Sequence, residues 1–343
     1  MKSPLLSLCM IVKDEAHQLG RCLESVQPYA DELIVVDTGS TDDTVKIAAE
    51  FGAKVFEFAW GNDFSAARNH SLDQACGSWI LVLDADEVLR VETPDFKAQL
   101  QDRPEIEVYT LTRQEFATQS QFSPFRITRL FRNQSYLRYA EPFHEQLVSL
   151  RPEIPQVEHL PGLVIDHYGY GPDVMMSKIK SRNIPILEAI RASRGLSLTL
   201  LFALSDLYEA TDQAAAAQAC QEELFERILP HLLDNAPITN FPALPEALYR
   251  LGCKLLELED WETVRLIGQR GLAWYPHYPP LNYLAGLFLN SLQFPLGASA
   301  YFQNCLDLGQ TQTYDQSFPF NQAYMGQFAA NMLSQCHPEL SLQ

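Results

Sequence analysis

The sequence predicts an α/β unit built on a mostly parallel sheet, followed by an all-helical unit. Three observations predict it. Within the first 83 residues, four strand-length apolar segments alternate with three helix-spaced ones. Two of those strands, Glu32 to Asp37 and Trp79 to Asp84, are apolar without alternation and end in aspartate, as fits strands buried on both faces. Beyond about Asp173 the strand signals stop and 3.6-residue apolar spacing takes over. At 343 residues the chain exceeds the usual single core, so domains at 1–173 and 174–343 are expected.

Taken in order, Leu5 to Val12 is a strand, and Leu19, Cys22, Leu23 and Val26 mark a helix ended before Pro28. The strand Glu32 to Asp37 leads through small polar residues, with a cap at Ser40 or Thr41, to a helix from Thr44 to Phe51. Ala53 to Phe58 is a third strand, and Ser65 to Cys76 is a helix that feeds the strand from Trp79. This βαβ series implies right-handed crossovers. Alternation at Ile106, Val108 and Thr110, and at Phe125, Ile127 and Arg129, predicts antiparallel additions at the sheet edge. Val157 to Tyr170 reads as a final strand pair. Helices are expected over 175–194, 196–209 and 214–233, with Pro237, Pro242 and Pro245 interrupting the run. A 34-residue offset then relates Tyr249 to Tyr283, Gly252 to Gly286, Leu255 to Leu289 and Leu258 to Leu292, the period of a tetratricopeptide helix pair.

Composition narrows the function. A formal charge of −18 disfavours a generic nucleic-acid binder but leaves room for a local basic pocket. No apolar run approaches a bilayer span, and the start runs into Lys13-Asp14-Glu15, so a cytoplasmic protein is expected, with peripheral membrane contact left open. Seven single cysteines without a CxxC pair suit reduced, buried thiols. Absence of GxGxxG and GxxxxGK[ST] disfavours dinucleotide and P-loop sites.

The chemistry gathers at strand ends. Asp84 and Asp86, two apart on extended chain, face the same way at a carboxyl edge, where open α/β sheets bind ligands. Two such acids need a positive partner, and a divalent ion carrying phosphate oxygens supplies one. Asp37 and Lys13-Asp14-Glu15 end neighbouring strands at the same edge.

The blocks LSLCMIVKDEAHQLGRCLESV (6–26), the run from Asp31 to Glu87, RLFRN (129–133), EPFHE (141–145), HYGY (167–170) and KSRN (180–183) resemble family 2 glycosyltransferases of the GT-A fold. The resemblance is to the bacterial subgroup with a tetratricopeptide-like tail, which includes peptide S-glycosyltransferases and lipopolysaccharide-core glucosyltransferase-like proteins. It covers roughly residues 5–185; the subgroup's usual KNE asparagine is Asp14 here.

The resemblance implies an inverting transfer from a UDP-sugar to a peptide, lipid-linked or polysaccharide acceptor, with Mn²⁺ or Mg²⁺. Asp37 would contact the uracil and Asp84 the ribose or diphosphate, with Val12, Asp14, Glu15, Ala85 and Arg68 also at the nucleotide sugar. Asp86 would be the principal metal ligand and His167 its partner. An inverting reaction needs a base opposite the leaving group: Glu145, aided by His144, with Glu141 as the alternative. Arg129 and Arg132 would meet the acceptor, and Lys180 and Arg182 are divided between function and surface. The helical unit would position the acceptor or dock a protein. Competing readings are a sugar-phosphate nucleotidyltransferase and a non-catalytic scaffold carrying a decayed transferase domain.

Overall fold

The computed structural model describes residues 4–116 and 121–336. These divide into two compact units, residues 4–116 with 124–178 and residues 121–123 with 179–336. The expected order, α/β first and helical after, is present.

The first unit is an eight-stranded mixed sheet in the order β3-β2-β1-β4-β7-β6-β10-β5. Its strands are β1 (Leu6–Val12), β2 (Glu32–Asp37), β3 (Lys54–Glu57), β4 (Trp79–Val82), β5 (Glu87–Val91), β6 (Val108–Glu115), β7 (Phe125–Arg132) and β10 (Val157–His167). β1 to β4 are mutually parallel, as the helical crossovers require. Their side chains alternate between two cores. Leu6, Leu8, Met10, Leu33, Val35, Trp79 and Leu81 pack with α1 (Leu19–Val26) and with Phe96 and Leu100 of α4 (Phe96–Asp102). Cys9, Ile34, Ile80 and Val82 pack on the other face against Leu72 of α3 (Phe64–Gln74). Being apolar on both faces is what makes these strands read as unbroken runs.

The antiparallel strands are not edge additions. β7 pairs with β4 and β6 with β7, so together with β10 they form the second half of the sheet. β5, unforeseen, takes the edge beyond β10. Val157 to His167 is one long strand rather than a pair, with its pairing to β6 shifted between His159 and Val164 around Pro161-Gly162. Gly162 has φ +81°, and a Cβ there would lie 2.0 Å from the Thr93 hydroxyl, so no larger residue fits. A short hairpin, β8 (Leu137–Ala140) and β9 (Gln146–Ser149), was also unforeseen and carries the EPFHE loop.

Remaining helices of this unit are α2 (Thr44–Glu50) and α5 (Pro172–Lys178). The helix expected over 175–194 is interrupted: α5 ends at Lys178, a π-turn covers Ile179–Asn183, and α6 (Ile184–Arg194) follows. Pro185 has no N–H to return to Ser181, which breaks the α-type ladder there.

The second unit continues with α7 (Leu198–Ala210), α8 (Ala214–Asp234), α9 (Leu244–Glu257), α10 (Trp261–Trp274), α11 (Pro279–Ser291), α12 (Pro295–Thr311) and α13 (Gln327–Cys336). Pro245 opens α9 rather than interrupting a helix, because a first-turn residue has no N–H obligation. The 34-residue offset is the α9/α10 pair repeated as α11/α12, a TPR-like arrangement. Its equivalent glycines mark close helix approaches: a Cβ on Gly252 would meet Leu284 at 2.3 Å, and one on Gly286 would meet Phe302 at 2.5 Å.

Candidate active site

Register places the carboxyl ends of β1, β2 and β4 together, with Val12 opposite Asp37 and Cys9 opposite Val82. The loops after β1 and β2 are laced to each other. Asp14, at φ +54°, accepts from the Thr41 amide at 2.7 Å, and its own amide donates to the Ser40 hydroxyl at 2.9 Å. Aspartate tolerates that left-handed backbone better than most residues. The Asp37 carboxylate accepts from the amides of Gly39 and Ser40, both at 3.0 Å, and the Val12 carbonyl accepts from the Thr38 amide at 2.9 Å. Glu15, 6% exposed, receives Gln18 Nε2 at 3.0 Å, Lys178 Nζ at 3.2 Å and the Tyr170 hydroxyl.

Beyond β4, Asp84 is gripped from two sides. Arg68 Nη2 reaches its Oδ1 at 2.6 Å, and Arg129 Nη2 reaches Oδ2 at 2.7 Å. Arg68 lies on α3, which Asp63 caps by accepting from the Ala66 amide at 2.9 Å. The same guanidinium donates Nε to Glu145 Oε1 at 2.6 Å, so one arginine spans Asp84 and the EPFHE loop. Burial alone would raise the Asp84 pKa, but Arg129 and Arg68 hold it well below the usual carboxylate range. Glu87, fully buried, is pushed up by burial despite Arg129 at 3.0 Å. Arg68 Nη1 and the Tyr139 hydroxyl are buried without a hydrogen-bond partner among the described residues. Such orphaned groups are costly unless a ligand or water serves them.

Glu145 arrives on a strained loop. Glu141 (φ +75°) and His144 (φ +51°) are both left-handed non-glycine residues, a concentration typical of functional sites. The Phe64 amide donates to the Pro142 carbonyl at 2.9 Å, tying the loop to the start of α3.

Asp86, 6% exposed, faces His167 from the end of β10, with Oδ2 to Nε2 at 3.2 Å. The other ring nitrogen, Nδ1, meets Glu115 Oε2 at 2.5 Å, and Glu115 in turn pairs with Arg113 at 2.8 Å. A carboxylate behind a histidine fixes its tautomer and orientation, the arrangement usual behind metal-ligating imidazoles. Burial opposes protonation of His167, but Asp86 and Glu115 push its pKa up to about 9. Among the described residues, no three His, Cys, Asp or Glu side chains gather as a metal-ligating group. Asp86 and His167 are thus a pair of neighbouring donors. A hard ion held by two side chains has positions left for phosphate oxygens and water, so the residues fit Mn²⁺ or Mg²⁺ carried with a diphosphate. Among the described residues, Asp84, Glu87, Glu115 and Glu145 pair with the guanidiniums of Arg68, Arg113 and Arg129, while Asp86 and Glu115 share the His167 ring.

The structure therefore joins Arg68, Asp84, Arg129 and Glu145 in one ion-pair cluster, and Asp86 with His167 in another. Ala85, 5% exposed, lies between them in sequence, and His144 is exposed beside Glu145. Arg132 is not brought to this edge. It pairs opposite Trp79 at the far end of β4, stacks 4.5 Å over that indole and donates to the Ile106 carbonyl at 2.8 Å. Lys180 and Arg182 sit on the π-turn of the second unit, where Arg182 Nε donates to Asn183 at 2.9 Å. Sequence reasoning missed Glu87, Arg113, Glu115, Tyr139, Tyr170 and Lys178. Tyr170, within HYGY, and Glu87, at the end of the run from Asp31, lay in quoted blocks; the others carry no local signal.

Residues 7–138 match the family model "Glycosyl transferase family 2". A TPR repeat-containing protein of Synechococcus elongatus is 48% identical over 181 residues, covering 50% of this chain and 44% of that protein. The SPbeta prophage-derived glycosyltransferase SunS of Bacillus subtilis is 31% identical over 192 residues, covering 54% of this chain and 45% of that protein. Each match thus spans less than half of the relative's length. A glucosyl-3-phosphoglycerate synthase from Mycobacterium tuberculosis, solved with Mn²⁺ and UDP, is 25% identical over 32% of this chain and 44% of that one. Its TM-score to this chain is 0.27. The chain thus pairs a GT-A-like α/β domain, most of which carries the family 2 match, with an all-helical TPR-like domain.

Proposed function

We propose that this chain is an inverting, metal-dependent glycosyltransferase that moves a sugar from a UDP-sugar to a peptide, lipid-linked or polysaccharide acceptor. The observation that carries the proposal is the Asp86–His167 pair at 3.2 Å, backed by Glu115, at the carboxyl edge of a parallel sheet. Residues 7–138, which carry the family 2 match, supply the strands that place Asp86.

Asp86 and His167 would hold Mn²⁺ or Mg²⁺, whose charge offsets that gathering on the departing diphosphate. Asp37, Asp14 and Glu15 line the nucleotide end, with Val12 and Ala85 adjoining. Arg68 offers its orphaned Nη1 to an oxygen of the donor while holding Asp84 and Glu145 in place. Arg68 Nε occupies Glu145 Oε1, so Oε2 is the oxygen that takes the acceptor's proton. The acceptor oxygen or sulfur then bonds to the anomeric carbon as the bond to the phosphate oxygen breaks, and UDP leaves. His144, exposed next to Glu145, orients the acceptor, and Arg129 holds Asp84 from the far side.

The helical unit selects or positions the acceptor, or docks a partner protein. Supporting this is a cavity of about 600 Å³ lined by Phe202, Asp206, Glu209, Arg250 and Lys254. Reversing the charge at one wall with Lys254→Glu is expected to lower transfer while hydrolysis of the donor persists.

The direct test incubates the protein with UDP-sugars and Mn²⁺ and follows release of UDP. Release is expected to stop with EDTA and to fall at least about a hundredfold in Asp86→Ala, a loss in line with removing a principal electrostatic element. Turnover untouched by both changes would refute the metal assignment. No turnover with any UDP-sugar, and no binding of UDP, would favour a scaffold.

A further inference from the structure

The stretch that follows β10 is anchored to the donor edge residue by residue. His167 faces Asp86, and the Tyr168 amide donates to the Asp86 carbonyl at 3.0 Å. The Arg21 guanidinium stacks 4.0 Å over the Tyr168 ring, and the Tyr170 hydroxyl donates to Glu15. α5 then buries none of its side chains, leaving even Val174 and Met175 exposed. A helix with no fully buried side chain is poorly explained by stability alone. Its last residue nevertheless turns inward: Lys178 Nζ lies 3.2 Å from Glu15 Oε1 and 3.3 Å from the centre of the Tyr170 ring.

Glu15 does not need that lysine to be satisfied. Gln18 Nε2 and the Tyr170 hydroxyl already donate to it. Lys178 is 23% exposed, so an incoming ligand can reach its ammonium. The position matters more. Tyr170, whose hydroxyl donates to the same Glu15 oxygen, follows His167 and Tyr168, both hydrogen-bonded to Asp86, so this corner adjoins the Asp86 site. A lysine there is a compact charge on a flexible stem, suited to meeting phosphate as a point charge.

We propose that Lys178 is a diphosphate-binding residue of the donor site, parked on Glu15 and the Tyr170 ring and transferred to the phosphate oxygens when a nucleoside diphosphate enters. The inference rests on the transferase reading above. Gly169, at φ +60°, and Gly171, where an added Cβ would meet nothing within 4 Å, are permissive backbone positions between β10 and α5.

The test measures binding of UDP and of uridine by calorimetry, with Mn²⁺ present, to the full chain and to Lys178→Met and Lys178→Arg. A charge-assisted bond to phosphate corresponds to roughly a tenfold to hundredfold change in affinity. Lys178→Met is therefore expected to weaken UDP by at least about tenfold and leave uridine unchanged. Lys178→Arg should restore most of the loss, and the gap between UDP and uridine should narrow with added salt. Equal UDP affinity in wild type and Lys178→Met overturns the proposal but leaves the transferase reading standing. Equal weakening of UDP and uridine also overturns it, marking Lys178 as a prop for Glu15. A wild-type chain that binds neither ligand overturns the transferase reading and this inference together.

Discussion

Replacing Arg68 by methionine keeps most of the side chain's length and removes its charge. Its side chain is 5% exposed and spans Asp84 and Glu145, each at 2.6 Å. Asp84 retains Arg129 at 2.7 Å, whereas Glu145, 14% exposed, is left without its partner. Breaking a buried pair from one side costs about 3–5 kcal/mol, because the stranded charge keeps its desolvation penalty. The two units need not unfold together, so global denaturation is the wrong readout. Hydrogen exchange at the amides of Leu81 and Val82 in β4 reports the first unit alone. Their exchange is expected to accelerate by roughly two to four powers of ten. Adding Glu145→Gln should recover part of that loss, since the uncompensated charge goes with it. Acceleration of less than about threefold, with no recovery in the double variant, would refute the claim that Arg68 ties Glu145 and Asp84 into one ion-paired unit.

Other expectations are more local. Glu115→Gln should weaken Mn²⁺ affinity by about 10–100-fold through loss of His167 orientation, while His167→Ala should weaken it further; calorimetric titration with Mn²⁺ decides, and a Glu115→Gln value equal to wild type would exclude the supporting role. Gly286→Ala should destabilise the helical unit by about 1–3 kcal/mol, read from urea unfolding, because the new methyl meets the buried Phe302 ring at 2.5 Å. Burial pushes the Asp206 carboxyl up to about 6, against the pull of Arg250. With its folded pKa above its unfolded one, its contribution is full below pH 3.8 and is lost as pH rises through 6. The helical unit's melting temperature should therefore decline over that window, and Asp206→Asn should flatten the decline.

The first four strands, their helices and the acids at their ends were legible because a doubly buried parallel strand writes itself as an uninterrupted apolar run, and a helix writes a 3.6-residue period. The 34-residue repeat was legible for a similar reason: Gly252 and Gly286 recur because helices pack closely at both. β8, β9 and β5 left little trace. They have four or five residues each, too few for a period to stand out. The break at Ile179–Asn183 was hidden beneath an intact apolar pattern, and only Pro185 hinted at it.

Local sequence determined which residues end which strand, and so put Asp37, Asp84 and Asp86 at one edge before any contact was known. It could not determine what neutralises them, because charge partners are chosen across the fold. Arg68 meets Glu145 from 77 positions away, and His167 meets Asp86 from 81. Glu115 and His167 were brought together by the parallel pairing of β6 and β10, a choice that strand propensity does not encode. The same long-range pairing sent Arg132 to the Trp79 end of β4 while Arg129, three residues earlier, reached Asp84. Spacing fixes a side chain's direction only while the strand lasts. β4 ends at Val82, so Asp84 and Asp86, expected to face one cation, meet Arg68 and Arg129 on one hand and His167 on the other, as the packed sheet decides.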